Sequence, residues 1–442
     1  MGISWIMNHR LTRIMPEVFF VIFGQVVAAG GNLFGIRVLT TLLQPAAYGE
    51  YALALTGAVL AQQLILGPIG TACERYFAPA AENHELGIYI RSILKLFAGG
   101  TLALIAISVG LGASLWATGH RSWLAILAPA FAYAWIASSS SMLDGIQNAA
   151  RQRVIVAAHQ GSGAWLRLGI LLTLARFMYI DSKVVLWSFA AGYLLLIGSQ
   201  LFFLARTLRR RGYGSPARSS WTAPMLKSMC RYTWPFSAWG VFTWVQASSD
   251  RWSLGAFAGL NQVGLYQSLY QIGYYPISIL TQFLLQVCTP IIFQRAGSGA
   301  DPTRRISAQR LNNTLTRIVL LATAMGAIFS ALGGHQILAL ILAPAYRSRS
   351  GLITVFILAS GCFAAGQIKS LNFMTSFATH RLIAPKVGSA VIGSGLIVAG
   401  AAYGGANGVA AAQLAFSAIY LTWIFYLDRK TMAARSAVAE AA

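Results

Sequence analysis

Long apolar runs alternate with short polar gaps along the whole chain. Twelve of these runs are about 20 residues long, enough for a helix to cross roughly 30 Å of hydrocarbon. Several contain Gly, Pro or Gln, which membrane helices tolerate when neighbouring helices satisfy the backbone. The pattern predicts an all-α integral membrane fold with twelve transmembrane helices, over residues 16–43, 50–75, 93–117, 123–145, 154–175, 184–205, 232–257, 263–293, 312–332, 351–378, 387–403 and 407–427.

One further apolar run, residues 336–346, is too short to span a membrane. We predict that it forms an interfacial or re-entrant segment on the outer side. Little chain is left over for a soluble domain, so the function should lie within the membrane helices themselves.

Positive charge is concentrated in every second gap between the apolar runs. The chain carries 33 Lys+Arg against 11 Asp+Glu, a formal net charge of +22. The basic gaps start at the N-terminal Arg10 and Arg13, and the richest is residues 206–231. By the positive-inside rule, both termini are predicted to be cytoplasmic. The other gaps hold only Arg121, Arg176, Lys183, Arg347 and Arg349.

This charge is explained by topology and by contact with anionic lipid. The cations are dispersed and no soluble fold presents them, which argues against a nucleic-acid partner. The four cysteines and six histidines are scattered and contain no CxxC motif, so we predict no disulfide, no metal site and no cofactor. The chain lacks GxxxxGK[ST], so it has no ATPase of its own.

The predicted helices divide into two sets of six. Residues 1–205 are predicted as an N-terminal six-helix lobe, residues 206–231 as a basic cytoplasmic linker, and residues 232–442 as a C-terminal six-helix lobe with a short cytoplasmic tail. Two halves with the same topology are parallel repeats, which are common in transporters.

A short motif recurs after the first helix of each half. Gly49-x-Tyr51-x-Leu53 matches Gly264-x-Tyr266-x-Ser268, at an offset of 264 − 49 = 215 residues. The matching position of the motif in the two halves supports an internal repeat.

The eighth predicted helix carries a polar stripe. Its polar side chains fall within an arc of roughly 100° at helical periodicity. Such a stripe should face other helices or water rather than lipid. Two interpretations stay open: contacts between helices, or the lining of a central cavity between the lobes. The stripe consists of Gln267, Gln271, Tyr275, Ser278, Gln282 and Gln286.

Charged residues also lie inside the predicted spans. Arg167 is near the middle of the fifth and Lys369 well inside the tenth. An unpaired charge at mid-bilayer costs at least about 2.5–3.5 kcal/mol. Either these cations bind an anion in an internal cavity, or they have structural partners, or the true spans differ from the predicted ones by a few residues. Arg37 and Arg251 lie near the outer helix ends, where snorkelling of the side chain to the membrane surface explains them as well as anion binding does. Asp250 is either an ion partner of Arg251 or a cation site.

Three further charged residues, Glu74, Arg75 and Asp144, lie at the predicted inner ends of the second and fourth helices. Anchoring at the membrane interface is the simplest interpretation of these three.

Several stretches resemble the polysaccharide transporter (Wzx-type flippase) family. IRVLTTLLQPAAYGEYALALTGAVLAQQL, followed by GTACERYFAPA, resembles the start of that family. WPFSAWGVFTWVQASSDRWSLGAFAGLNQVGLYQSLYQIGYYP resembles its seventh and eighth helices, and ILAPAYRSRSGLITVFILASG its outer segment before the tenth. The resemblance covers nearly the whole chain, and SSDRWSLG with VGLYQ is its most specific part.

The resemblance implies a fold and an activity. Members of the family belong to the multidrug/oligosaccharidyl-lipid/polysaccharide exporter (MOP) superfamily, with two six-helix lobes in a MATE-like V around a cationic cavity. They move lipid-pyrophosphate-linked sugar repeat units from the inner to the outer leaflet. By this resemblance, Arg37, Arg75, Asp250 and Arg251 match recurring charged positions of the family.

We therefore predict a flippase, not an enzyme, in the bacterial cytoplasmic (inner) membrane. It would translocate oligosaccharides linked to a polyprenyl pyrophosphate, for surface O-antigen, capsule or exopolysaccharide, by alternating access between lobes. Cavity cations offset the cost of burying a diphosphate, and Arg can bind it bidentately. A coupling ion and a polysaccharide polymerase are further candidate partners, beside membrane lipids. The predicted substrate-binding residues are Arg37, Arg75, Arg167, Asp250, Arg251, Gln282 and Lys369.

Three alternatives stay open at this stage. A MATE-like drug/cation antiporter would need acidic residues deep in the cavity, whereas the deep charges here are mainly basic. A membrane polysaccharide polymerase or ligase would need a long outer loop with catalytic residues, and the outer gaps are short. The peptidoglycan-precursor flippases of the same superfamily resemble fourteen-helix chains.

Overall fold

The chain is almost entirely helical. A computed structural model describes residues 2–210, 222–297, 301–376 and 378–441, and these ranges contain no β-strand. The α-helices are α1 (Gly2–Leu42), α2 (Pro45–Ala61), α3 (Gly67–Glu82), α4 (Leu86–Ala117), α5 (Leu124–Ala149), α6 (Arg153–Leu174), α7 (Ser182–Arg210), α8 (Ala223–Phe257), α9 (Leu260–Gly273), α10 (Tyr275–Ala296), α11 (Pro302–Ile341), α12 (Leu352–Lys369), α13 (Leu371–Thr375) and α14 (Ile383–Ala441).

These helices correspond to the twelve predicted spans. The π-helical turn Gln62–Leu66 joins α2 to α3 within the second span. The eighth span consists of α9 and α10, and the tenth of α12 and α13. The eleventh and twelfth spans both lie in α14, because Gly405 interrupts its helical backbone at φ 53° and ψ −138°. Only glycine adopts such a backbone conformation readily. The prediction of an all-α, twelve-helix fold is confirmed.

Nine helical segments among the described residues are long and apolar enough to cross a membrane. The segment Thr379–Thr431 counts once among the nine although it holds two spans. Helices α6 and α8 are long enough but are not among the nine. In α6 the polar side chains of His159, Gln160 and Arg167 lower the mean hydropathy.

The prediction that residues 336–346 form a separate segment is wrong for the first half of the run, and their place on the outer side stays a prediction. Helix α11 continues without a break to Ile341, so the first half of that run is the end of a spanning helix. A short 3₁₀ turn, Pro344–Tyr346, follows. The apolar run was too short to cross the membrane by itself, but it extends an apolar helix that precedes it.

The residue contacts divide the chain into two compact units. Unit 1 comprises Met1–Leu43 and Glu50–Ala247, and unit 2 comprises Gln44–Gly49 and Ser248–Ala442. The core of unit 1 is formed mainly by apolar side chains of α3, α4 and α5, with contributions from α2, α7 and α8. The core of unit 2 includes an aromatic cluster of α9 with Phe356 of α12.

The predicted linker, residues 206–231, is described only at its two ends. Residues 206–210 belong to the end of α7 and residues 223–231 to the start of α8. Residues 211–221 lie outside the described residues. The division into lobes at this linker stays a prediction.

In unit 2, the starts of α2 and α9 cross in direct backbone contact. A Cβ atom at Gly49 would overlap the carbonyl oxygen of Leu260, and one at Gly264 would overlap that of Pro45. These are the glycines of the repeated sequence motif. Each lies against the first residue of the other helix, and the two contacts are related by the 215-residue offset. Only glycine permits so close an approach.

Candidate functional site

The guanidinium of Arg167 in unit 1 is held by aromatic side chains. Its Nε donates a hydrogen bond to the carbonyl oxygen of Gly163 at 3.1 Å, and its NH1 donates to Tyr193 Oη at 2.8 Å. The charge lies 4.6 Å from the ring centroid of Tyr193 and 5.5 Å from that of Phe189, within cation–π distance. Gly192 on α7 leaves room for the Arg167 side chain, because a Cβ at this position would lie only 2.6 Å from Arg167 Cγ.

The half-buried Arg167 has no carboxylate partner among the described residues. Three ion pairs occur in the described part of the chain, and Arg167 takes part in none of them. Its neighbours orient the guanidinium but leave its positive charge without a neutralising acid.

Asp250 and Arg251 form an ion pair inside unit 2. Arg251 NH1 lies 3.1 Å from Asp250 Oδ1, and both side chains are buried. Tyr266 Oη donates to the second carboxylate oxygen at 2.7 Å. Arg251 Nε donates to Gln267 Oε1 at 2.5 Å. The guanidinium also lies 4.6 Å from the ring centroid of Tyr270. Of the two interpretations of Asp250, the geometry fits the ion partner.

Lys369 is also neutralised within unit 2. Its Nζ lies 2.8 Å from Asp428 Oδ2 and donates to Asn313 Oδ1 at 2.6 Å. Asn372 Nδ2 donates to the other oxygen of Asp428 at 3.1 Å, and Asn372 Oδ1 accepts from Asn312 at 2.8 Å. Helices α11, α12, α13 and α14 contribute to this network.

The remaining predicted site residues differ in exposure. Arg37 on α1 is half-buried and has further interactions, whereas Arg75 on α3 and Gln282 on α10 are exposed. Of the polar stripe, Gln267 accepts from Arg251, and Gln271 Oε1 accepts from Tyr48 Oη at 2.8 Å. The stripe also changes helix, because α9 ends at Gly273 and α10 begins at Tyr275. Its first half therefore makes contacts between helices.

The predicted site residues are distributed over both units. Arg37, Arg75 and Arg167 belong to unit 1, and the other four belong to unit 2. Among the described contacts, those of Asp250 with Arg251 join two predicted site residues directly. The assignment of all seven to substrate binding stays a prediction.

Sequence reasoning missed the partners of Lys369 and Arg167, although an ion pair of Asp250 with Arg251 was one of its two interpretations. Asp428 follows the last predicted span directly and is next to Arg429 and Lys430, so it was grouped with the charges of the membrane interface. It lies 428 − 369 = 59 residues from Lys369 in the chain. Tyr193 follows Arg167 by 26 residues on the next helix. The sequence offered one signal for the pair of Lys369 and Asp428: both residues lie toward the predicted inner ends of their spans, so they are at a similar depth in the membrane.

Sequence reasoning also missed a polar network in unit 1. Asp144 Oδ1 accepts from Gln200 Nε2 at 2.7 Å, and Oδ2 accepts from Gln160 Nε2 at 3.3 Å. Gln160 Oε1 in turn accepts from Gln25 Nε2 at 2.6 Å. The network connects α1, α5, α6 and α7.

The structure is that of an all-α, multi-pass membrane protein with cations inside its spans. The chain belongs to the polysaccharide biosynthesis protein family, whose model matches residues 14–295, more than half of the chain. The resemblance to the Wzx-type polysaccharide transporters is thereby confirmed. No curated protein sequence matches the chain.

Solved structures share the fold. A multidrug resistance MATE family transporter of the MOP superfamily, in an inward-facing conformation, matches with a TM-score of 0.66 at 12% identity, over 94% of this chain and 98% of that one. The lipid II flippase MurJ, in an inward closed conformation, matches with a TM-score of 0.68 at 12% identity, over 94% and 87%. A point mutant of the Vibrio cholerae MATE transporter VcmN matches with a TM-score of 0.54 at 13% identity, over 97% and 98%. The two-lobe, MATE-like fold class is confirmed.

Proposed function

We propose that the protein is a flippase for lipid-pyrophosphate-linked oligosaccharide repeat units in surface polysaccharide biosynthesis. It acts in the bacterial cytoplasmic membrane with both termini in the cytoplasm, as the charge of the alternate gaps favours. Membership of a polysaccharide biosynthesis family supports the sugar substrate. The shared fold with the lipid II flippase supports a lipid-linked one.

The observation that carries the proposal is the charge of Arg167. Of the cations inside the predicted spans, Lys369 and Arg251 have carboxylate partners, and Arg167 has none among the described residues. An uncompensated cation inside a membrane helix is costly and usually marks a substrate or ion pathway. A diphosphate supplies the missing negative charge, and a guanidinium matches its oxygens bidentately.

The partners of Arg167 fit this role. Its bonds to Gly163 and Tyr193 use Nε and NH1, so the donors on NH2 are left for a ligand. Cation–π contacts hold the guanidinium without neutralising it. The ligand therefore meets a charge whose orientation is already fixed, which lowers the entropic cost of binding.

The test is complementation of a flippase-deficient strain, with surface glycan and membrane protein level both measured. Arg167→Gln keeps hydrogen-bonding atoms and removes the charge, so export should be lost at normal protein level. Arg167→Lys should retain part of the export, because it keeps the charge but not the planar fork. Arg176→Gln, at an exposed position just beyond α6, is the matched control and should export normally. Full export by Arg167→Gln would refute the role of this charge.

A further inference from the structure

The carboxylate of Asp144 is surrounded by amides within the membrane-spanning part of unit 1. It lies on α5, about one and a half turns before the helix ends at Ala149. Gln200 and Gln160 donate to its two oxygens, at 2.7 and 3.3 Å. Asp144 belongs to none of the ion pairs found in the described residues. Its negative charge thus lacks the cation that Asp250 and Asp428 have.

The neighbouring helices add no cation to this carboxylate in the described contacts. Glu74 on α3 packs against Gly145, where a Cβ would lie 2.5 Å from Glu74 Oε1, so the residue next to Asp144 meets another acid on that side. On α6, His159 bonds through Nε2 to Ser199 of α7 at 3.0 Å. The described cations on α3, α4, α6 and α7 are bound elsewhere or exposed. Lys95 donates to Thr222, Arg91 to the carbonyl oxygen of Gly87, and Arg167 to Gly163 and Tyr193, while Lys183 pairs with Asp181. Arg75, Arg153, Arg206 and Arg209 are exposed, and the hydroxyl of Tyr89 donates to the carbonyl oxygen of Cys73.

The two amides differ in their freedom to rotate. Gln200 Nε2 also donates to the carbonyl oxygen of Ser140 at 3.2 Å, while Gln200 Oε1 accepts from Ser140 Oγ at 3.1 Å. These bonds fix its orientation, with the amide nitrogen toward Asp144 Oδ1. Gln160 is bound only by Gln25 and Asp144 in the described contacts, so its amide can turn end for end.

We propose that Asp144 is a proton-binding site and that Gln160 reports its protonation to α1. One proton from water bonds to Oδ2, and the carboxyl group then donates to Gln160 Oε1. The amides of Gln160 and Gln25 both turn end for end, so that Gln160 Nε2 donates to Gln25 Oε1, and every bond from Asp144 to Gln25 reverses direction. When the proton returns to water, the bonds revert. Asp144, Gln160 and Gln25 stay joined by hydrogen bonds in both states, which favours two populated protonation states.

A proton fits this site better than a metal cation. The groups facing the carboxylate are amide N–H donors, and a bound cation needs oxygen ligands instead. Protonation removes a charge that has no counter-charge in an apolar environment. The proton site itself does not depend on the proposed function. Its use in transport does: Gln25 lies exposed on α1, so its reorientation would carry the protonation state of Asp144 to the surface of that helix.

The first experiment reads the proton directly. The full-length protein in detergent is titrated with acid and followed by infrared difference spectroscopy of the carboxylic C=O stretch. The wild type should show a carboxylic-acid band that persists above about pH 4, where exposed aspartates ionise. Asp144→Asn should lose this band. Asp181→Asn is the matched control, because Asp181 is partly exposed and pairs with Lys183 at 3.3 Å, and it should keep the band.

Gln160→Leu provides a second variant with Asp144 intact. It removes the rotating amide, so the band should shift in frequency. A band that stays unchanged in both Asp144→Asn and Gln160→Leu would overturn the assignment. So would a band that disappears on adding sodium chloride at constant pH, since that would identify a metal cation as the ligand.

Surface glycan export separates this inference from the proposed function. If the protein complements a flippase-deficient strain but Asp144→Asn keeps the wild-type band, the proton site is wrong and the proposed function stands. If the band is lost in Asp144→Asn but the wild type does not complement, the proton site stands and the proposed function fails.

Discussion

The pair of Lys369 and Asp428 allows a decisive test of what a buried cation does in this protein. Lys369 was predicted to bind substrate, and its carboxylate partner makes a structural role the stronger expectation. The perturbations are the two single variants, Lys369→Met and Asp428→Asn, and the double variant that combines them. Each single variant leaves one buried charge without its partner, whereas the double variant removes both charges.

The magnitude follows from burial. The side chains of Lys369 and Asp428 are 8% and 7% exposed, so water cannot replace a missing partner. Removing one member of such a pair typically costs about 3–5 kcal/mol, because the other charge is left buried. In Lys369→Met, only the amide of Asn372 would still donate to Asp428 among the described contacts. Removing both charges in favour of similar volumes is often close to neutral.

The assay is unfolding in mixed detergent micelles, followed by tryptophan fluorescence, with export and protein level measured in the complementation strain. We expect both single variants to lose stability and membrane protein level. The double variant should recover most of the stability and export glycan when its level is near that of the wild type.

Two results would refute this reasoning. If Lys369→Met is as stable as the wild type, the pair does not compensate a buried charge. If the double variant is stable and abundant but exports nothing, Lys369 acts on the substrate, as the sequence predicted. The ion pair with Asp428 would then neutralise Lys369 only while no substrate is bound.

Three other predictions concern packing, topology and the bonds of Arg167. Ala at Gly49 should lower the thermal unfolding midpoint, because its Cβ would overlap a backbone carbonyl of α9; Ala at Gly57, which has open space around it, is the control. A single Cys at Ser348 should react with an impermeant maleimide from outside, and one at Ser215, outside the described residues, should not; the reverse would overturn the topology. Tyr193→Phe should reduce export less than removal of the neighbouring charge does, since the aromatic ring stays and only the 2.8 Å hydrogen bond is lost.

The helices could be predicted from the sequence because their signals are local. Each span is a run of apolar residues, and even the separation of the last two is marked by glycines around Gly405, where the backbone leaves the helix. The end of α11 was misjudged because the apolar run near Ile341 was considered by itself and not as the continuation of an earlier helix.

The interior of the site could be predicted only in part. The chemical cost of a buried charge identifies Arg167 and Lys369 from sequence alone. Whether each has a partner depends on which helices pack together, and that is set by contacts far apart in the chain. Asp144 was assigned to the membrane interface for the same reason: the amides of its network come from three other helices.

The glycine crossing in unit 2 also bears on how the chain can mutate. In a dimer with a two-fold axis, residue i of one subunit contacts residue j of the other, and the reverse contact also exists. Gly49 against Leu260 and Gly264 against Pro45 form such a pair of contacts within one polypeptide. The same pair of contacts in a two-fold dimer of one six-helix chain would need a single glycine, used once in each subunit. Here the two contacts use two separate glycines, so each can mutate alone, although the geometry requires both.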